Sequence, residues 1–241
     1  MFKALFRKLF TPGDTPPEKA YNLWAIAYDS QPDNLMLALD EELFSFFNER
    51  VAFKNKVIVD VGCGTGRHWR KIVDQQPQQL TGYDVSAGML QMLKLKFPDT
   101  ITCQSAGNQL KITPDDAVDI LISTLTIAHI KDPIAALREW NRVAKPGADI
   151  FISDYHPDIL QKGGKRTFIY ANKIVSVKNY IHQIEKIKNI ASTLNWQTIQ
   201  VTEKKIDEVV KHFYEKQGAL DVYETYKGMP VIYGIHFKKA K

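Results

Sequence analysis

From residue 56 to residue 153, short β-branched runs alternate with amphipathic stretches, and no other feature narrows the possible folds as much. Residues 56–61 (KVIVDV), 80–84 (LTGYD), 101–104, 117–123 (AVDILIS) and 149–153 (DIFIS) read as strands. Helical patterns fall between them at 67–74, 86–97 and 133–144, the last stopped by Lys145-Pro146-Gly147. Strands that take turns with helices need crossover connections, so the expectation is an α/β, doubly wound, mostly parallel sheet. Two helical patterns, 18–28 and 33–49, precede it. After Asp154 the rhythm changes to a Gly163-Gly164 loop, a β-rich stretch over 167–177 and a helix carrying Ile184, Ile187, Ile190, Ala191 and Leu194. A strand at 198–202, a mostly helical 206–226 and a final strand at 230–237 close the chain. No linker-like composition separates the halves, so 18–241 reads as one domain, with 156–241 adding strands and an inserted cover to 18–155.

With 44% apolar and 24% charged residues over 241 positions, the chain can bury a large core and has no need to be disordered. No apolar run approaches the roughly 18–20 residues needed to span a bilayer, and the first ten residues lack the core and cleavage site of a signal peptide. A cytoplasmic location is expected. Cys63 and Cys103 are too few for a disulfide framework and show no zinc spacing, so no metal is expected. The net charge of +5 is too small to indicate a nucleic-acid partner. One region concentrates charge. Residues 1–17 combine a segment with Lys3, Arg7, Lys8 and no acid with a TPGDTPP linker, and Phe2, Leu5, Phe6, Leu9 and Phe10 recur at helical spacing. Such a helix either docks on its own domain or lies weakly on an anionic membrane surface through residues 1–10.

The chemistry-bearing motif is Asp60-Val61-Gly62-Cys63-Gly64-Thr65-Gly66, where a buried strand becomes a helix. Glycines 62, 64 and 66 let the backbone reverse tightly and let a ligand come close. The spacing is not the G-x-G-x-x-G of dinucleotide folds, and an acid precedes it. A carboxylate at the strand tip repels a pyrophosphate and suits a cationic amino group, which disfavours a nicotinamide dinucleotide. Asp84, ending the second strand, can accept from both hydroxyls of a ribose.

These segments resemble the class I S-adenosylmethionine-dependent methyltransferases, in particular the small-molecule group that includes quinone-biosynthesis enzymes. VDVGCGTG is similar to their glycine motif, YDVSAGML (83–90) to their acidic motif, ISTLTIAHI ending at Ile130 to the loop after strand four, and RVAKPGADIFISD (142–154) to the turn before strand five. YNLWAIAYD (21–29) is similar to the segment preceding the core. The resemblance implies a Rossmann-like seven-stranded sheet with an antiparallel last strand. It implies S-adenosylmethionine as cofactor, S-adenosylhomocysteine as product and a small-molecule acceptor. By the same resemblance Asp60 and the backbone at Gly62 and Gly64 face the methionine end, Asp84 holds the ribose, Val85 and Met89 sandwich the adenine, and Cys63, Gly66, Tyr28 and Ser123 join the cofactor site. Many relatives carry an adenine-binding acid where this chain has Ala106, so Gly107 or Asn108 is expected to substitute. His129, His156 and His182 follow strands or open the second half and are candidate general bases. A non-catalytic cofactor-binding protein and a methyltransferase acting on protein or nucleic acid remain as alternatives.

Overall fold

A computed structural model describes residues 14–241; the amphipathic pattern of residues 1–10 lies outside them. In chain order the elements are α1 (Pro17–Trp24), α2 (Leu35–Asn48), β1 (Val57–Val61), α3 (Trp69–Val73), β2 (Gln79–Asp84), α4 (Ala87–Lys96), β3 (Ile101–Gln104), β4 (Val118–Thr124), α5 (Pro133–Val143) and β5 (Ala144–Tyr155). Then come α6 (Pro157–Gln161), β6 (Thr167–Tyr170), β7 (Lys173–Ser176), α7 (Ile184–Thr193), β8 (Trp196–Lys205), α8 (Lys211–Lys216), α9 (Leu220–Tyr226) and β9 (Pro230–Lys239). The main sheet has seven strands in the order β3-β2-β1-β4-β5-β9-β8. The first five pair in parallel, and β9 runs antiparallel to both its neighbours. A doubly wound sheet with an antiparallel last strand is therefore what the chain builds.

Local chemistry sets the helix starts. Asn34, Ser86 and Asp132 accept from backbone amides in the first turns of α2, α4 and α5, satisfying donors that have no partner within the helix. Alternation along β1 puts Ile58 into the hydrophobic cluster on one face and Val59 and Val61 into the cluster on the other. Asp60, on the face of Ile58, is buried as well. A third cluster joins α1 to Met89, Phe168 and Val177 and closes the top of the sheet.

Three expectations shift. β5 begins at Ala144 rather than Asp149, because Ala144 pairs with Val118 before a bulge and Asp149 resumes pairing with Ile120. Gly147, at φ +82°, makes that detour possible. The helical stretch after 206 is broken into α8 and α9, with Gly218 at φ +61° between them. The stretch over 167–177 forms a separate two-stranded hairpin, β6–β7, and does not join the main sheet.

Candidate active site

The carboxyl ends of β1, β2 and β4 open into one cleft of roughly 470 Å³. Parallel sheets create such crevices where the chain leaves neighbouring strands toward opposite faces. Asp60, Gly62, Cys63, Gly64, Asp84, Val85, Met89, Gly107, Asn108, Tyr28 and His129 all line it, although they come from seven separate stretches of chain.

The glycine turn shows why each position is small. Gly62 is at φ +75°, and a Cβ there would lie 2.0 Å from Thr126 Oγ1. Gly64 is also at positive φ, +53°, but a Cβ there would meet nothing within 4 Å: the space beside it is the open cleft. Gly66 is absent from the lining and packs against Trp69 and Leu93. The contrast predicts different outcomes for two alanine variants. Gly62→Ala should lower the thermal midpoint sharply through the collision with Thr126. Gly64→Ala should cost stability only by the left-handed conformation, about 1–2 kcal/mol, while weakening ligand binding. Calorimetric melting and titration of both variants would check this.

Asp60 and Asp84 end adjacent strands and form the polar floor. Trp69 Nε1 donates to Asp60 Oδ2 at 2.8 Å, and no hydrogen bond reaches its other oxygen among the described residues. The amides of Gly64 and Ser86 donate to the two oxygens of Asp84 at 2.9 and 2.8 Å. Each carboxylate oxygen carries two lone-pair sites, so Asp84 keeps acceptor capacity for two further donors. Burial pushes both carboxyls up to about 6, and the charge of Asp84 adds to the rise at Asp60. At neutral pH both acids are mostly ionised, and a donor-rich or cationic ligand would stabilise that buried charge.

The Cys63 thiol is pushed well above its usual range by burial and the two acids, which makes it a space filler and not a nucleophile. Its sulfur also fills the space above Gly82. Met89 is buried in the α1 cluster and lines the cleft as well, so its packing and lining roles coexist. Ser105, Ala106, Gly107 and Asn108 form the cleft wall after β3, held by Trp140 Nε1 donating to the Gly107 carbonyl at 2.6 Å. Ser123 is buried in β4, and its hydroxyl neither lines the cleft nor has a hydrogen-bond partner.

The three histidines have different surroundings. His129 borders the cleft. Its Nδ1 donates to the Lys178 carbonyl at 2.8 Å, which fixes Nε2 as the acceptor, and there Tyr21 Oη at 2.8 Å and Arg166 Nη1 both meet it. Burial first, and then Arg166, push its pKa well below the ordinary value, so it is neutral. His156 caps α6 by accepting from the Asp158 amide and reaches Glu203 at 3.3 Å. His182 Nε2 donates to the Ile130 carbonyl at 2.8 Å. Neither lines the cleft.

Two buried networks behind the cleft had no short-range signature. Arg166, in the loop before β6, donates to Asp154 Oδ1 at 2.9 Å, to the Leu125 carbonyl at 2.6 Å and to Tyr21 Oη at 2.8 Å. Asp154 in turn accepts from the amides of Ala128 and Tyr155. Asp40, fully buried on α2, accepts from Ser153, from Arg67 and from His68, whose other ring nitrogen lies 3.1 Å from Glu41. Despite its burial, these cations and donors hold Asp40 below the usual carboxylate range. Arg67 and His68 reach the cleft wall from this network.

Known proteins are similar to this chain. The family model described as a methyltransferase domain matches residues 59–152, the stretch from β1 through most of β5. Phosphoethanolamine N-methyltransferase 1 of Zea mays is 27% identical over 181 residues, covering 69% of this chain and 35% of that protein. The malonyl-[acyl-carrier protein] O-methyltransferase of Yersinia pestis is 31% identical over 137 residues, covering 56% of this chain and 48% of the relative. The chain thus matches between about a third and a half of the length of these relatives. Among solved structures, an S-adenosylmethionine dependent methyltransferase from Mesorhizobium loti superposes with a TM-score of 0.64 at 18% identity, covering 83% of this chain and 96% of the other. The sheet order, the glycine turn between two acids and the family match agree: residues 59–152 match a methyltransferase domain, and the chain shares its fold with, and is similar to, S-adenosylmethionine-dependent methyltransferases.

Proposed function

We propose that the chain transfers a methyl group from S-adenosylmethionine to a small or amphipathic organic acceptor. The observation that carries this reading is the pair Asp60 and Asp84 on one cleft floor beside the open space at Gly64. That floor fits the cofactor's chemistry: an ammonium for Asp60, a vicinal diol for the free lone pairs of Asp84, and backbone close enough at Gly64 for either. Val85, Met89 and the wall from Ser105 to Asn108 would flank its base, with Asn108 the side chain able to pair with an adenine edge where Ala106 cannot. Bound there, S-adenosylmethionine supplies a methyl group already activated by its sulfonium.

The chain's own task is then to align an acceptor and keep water out, which can supply about 7–11 kcal/mol of barrier lowering. Tyr21, Tyr28, Leu125, Thr126 and His129 line the part of the cleft next to the β4 terminus. Because Arg166 and Tyr21 occupy Nε2 of His129, this residue serves as a fixed wall with its polarity already spent. Alignment outweighs proton removal in this reading. The relatives' names point to acceptors bearing an amine or a carboxyl group, phosphoethanolamine and malonyl-acyl carrier protein, and both classes belong in the first acceptor screen. The test is transfer of labelled methyl to such a panel. Binding of the cofactor with no transfer to any small acceptor, but transfer to a protein or nucleic acid, would overturn the acceptor class.

The raised carboxyls also set a pH dependence. Because both titrate at about 6 without ligand and must be ionised to hold a cation or accept from hydroxyls, acidification favours the free protein. Affinity for S-adenosylmethionine should be flat above about pH 7 and fall about tenfold per participating carboxylate by about pH 5. Titration calorimetry across that range, with proton release on binding read from two buffers, checks the sign.

A further inference from the structure

A second cavity, of about 240 Å³, shares no lining residue with the cleft. It is built from the α1–α2 connection, the end of β5, the stretch entering β6 and the turn after α8, and no residue of β1 to β4 or of the glycine turn takes part. Two contacts put it next to the cleft. Trp24 lines the cavity and Tyr28 the cleft, and their rings meet edge-on at 5.0 Å between centroids. Arg166 also lines the cavity, while its Nη1 meets Tyr21, the Leu125 carbonyl and His129 on the cleft side. One layer of side chains therefore divides the two spaces.

The walls decide what fits. Trp24, Met36 and Tyr155 are buried and supply apolar and aromatic surface. Trp24 stacks on Phe168 at 4.4 Å, and the Arg166 guanidinium lies over the Tyr155 ring at 4.5 Å, so both rings are fixed in place. Only two charged side chains line the space, and each is paired: Arg166 with Asp154 at 2.9 Å, and Asp33 with Lys216 at 2.8 Å. A charged ligand would lose its hydration here and find no free counter-ion. The side-chain amides of Gln31 and Asn34 are spent on the loop, Asn34 donating to Gln31 and Gln31 to the Tyr28 carbonyl. Gln217 differs. Its Nε2 donates to the Asp33 carbonyl at 2.8 Å, which leaves Oε1 buried with no hydrogen-bond partner. Such an orphaned acceptor needs a donor, and nothing in the fold supplies one.

Pockets that enclose a whole drug-sized ligand run to roughly 300–1,000 Å³, so 240 Å³ suits the body of a molecule whose other end lies elsewhere. We propose that this cavity holds the uncharged, ring-bearing body of the acceptor, with a hydroxyl or N–H of that body donating to Gln217, and that Tyr28 turns aside to join it to the cleft. Tyr28 suits that part because ring contacts with Trp24 and Tyr21 hold it, and its hydroxyl makes no hydrogen bond among the described residues. The acceptor role rests on the methyl-transfer reading, whereas the preference for an uncharged ring follows from the walls alone.

The first test uses the full chain without cofactor. Titration calorimetry at neutral pH compares 1-naphthol, an uncharged two-ring probe with one donor, with its anionic counterpart 1-naphthoate. Naphthol should bind at least about tenfold more tightly than naphthoate, and saturating S-adenosylhomocysteine should not displace it. Thr167→Phe, which fills the cavity from a half-buried position, should keep the wild-type affinity for S-adenosylhomocysteine and lose at least about tenfold in naphthol affinity. Ser30→Phe, on the exposed rim, should act in the same direction and keeps the test open if Thr167→Phe does not fold. In methyl-transfer assays the filling variants should raise KM for a ring-bearing acceptor more than for a short alkyl one. Displacement of naphthol by S-adenosylhomocysteine, naphthoate binding as tight as naphthol, or folded filling variants that bind naphthol like the wild type overturn the cavity as its site. Equal effects on ring-bearing and short acceptors overturn the acceptor role while methyl transfer stands. Transfer to no acceptor, with naphthol still bound in the cavity, refutes the methyl-transfer reading and the acceptor role with it.

Discussion

Replacing Asp84 by alanine should reduce affinity for S-adenosylmethionine and S-adenosylhomocysteine by about 100-fold or more while the protein stays folded. The magnitude follows from what the carboxylate has left to give. Two of its lone-pair sites hold the amides of Gly64 and Ser86, and two remain for ligand donors. Hydrogen bonds to a charged group are worth about 1.5–3 kcal/mol each, so losing two costs at least about 3 kcal/mol of binding. The variant also frees the Gly64 amide, which loosens the turn that Gly62 and Gly64 build and adds to the loss. Asp84→Asn separates these effects. It keeps an oxygen for one backbone amide but loses the charge and turns part of the acceptor into a donor, so its affinity should fall between wild type and Asp84→Ala. Titration calorimetry of the three proteins, with thermal melting as the control for folding, decides it. Wild-type affinity in Asp84→Ala would remove the ribose assignment and with it the observation on which the proposed function rests.

The place of Asp84 in the cleft could be read from sequence because it is set locally. An acid that ends a strand a fixed step after a glycine turn is set by two adjacent β–α units, and the parallel pairing of β1 with β2, which sets Asp60 opposite Gly82, brings Asp60 and Asp84 to the same end of the sheet without help from distant chain. The same holds for the sheet: alternating strands and helices leave one way to bury both faces, and β1 to β4 lie within two residues of their expected bounds. Legibility fails where a contact depends on remote chain. Arg166 meets Tyr21 across 145 positions and His129 across 37, and no spacing rule links them. A lone arginine after Gly163-Gly164 reads as a surface charge until the hairpin folds back onto α1. His129 shows the effect on chemistry. Its position after β4 was visible, but the partner that occupies Nε2 and keeps it neutral was not. Asp40 and Arg67 follow the same pattern, since an acid inside a helical stripe looks like a solvated face and is in fact fully buried. The signal that was available was indirect: Asp40 sits among Leu39, Leu43 and Phe44, on the apolar side of α2.

Removing Arg166 should be among the most destabilising single changes in the chain, because it leaves Asp154 in a site with no compensating charge. Asp154 is fully buried; burial raises its carboxyl above the usual range even with the arginine in place, and Arg166 is the largest influence opposing that rise. Breaking a buried pair by deleting one partner costs about 3–5 kcal/mol, and Arg166→Met would also strip the donor from the Leu125 carbonyl at the cleft edge. The sign with pH distinguishes this account from simple loss of packing. Without the arginine the folded-state pKa of Asp154 rises further above its unfolded value. A raised folded pKa means stability is retained below the unfolded pKa and lost as pH climbs toward the folded one. The deficit of Arg166→Met relative to wild type should therefore be largest at neutral pH and shrink toward about pH 4. The double variant Arg166→Met/Asp154→Asn, which has no buried charge left, should regain part of the loss and show little of this pH dependence. Denaturant unfolding of the wild type, Arg166→Met, Asp154→Asn and the double variant at neutral and acid pH measures both the size and the coupling. A pH-independent deficit that Asp154→Asn does not relieve would mean that Arg166 matters as filler against Tyr155 and Tyr21, and that its charge does not hold the floor of the acceptor side in place.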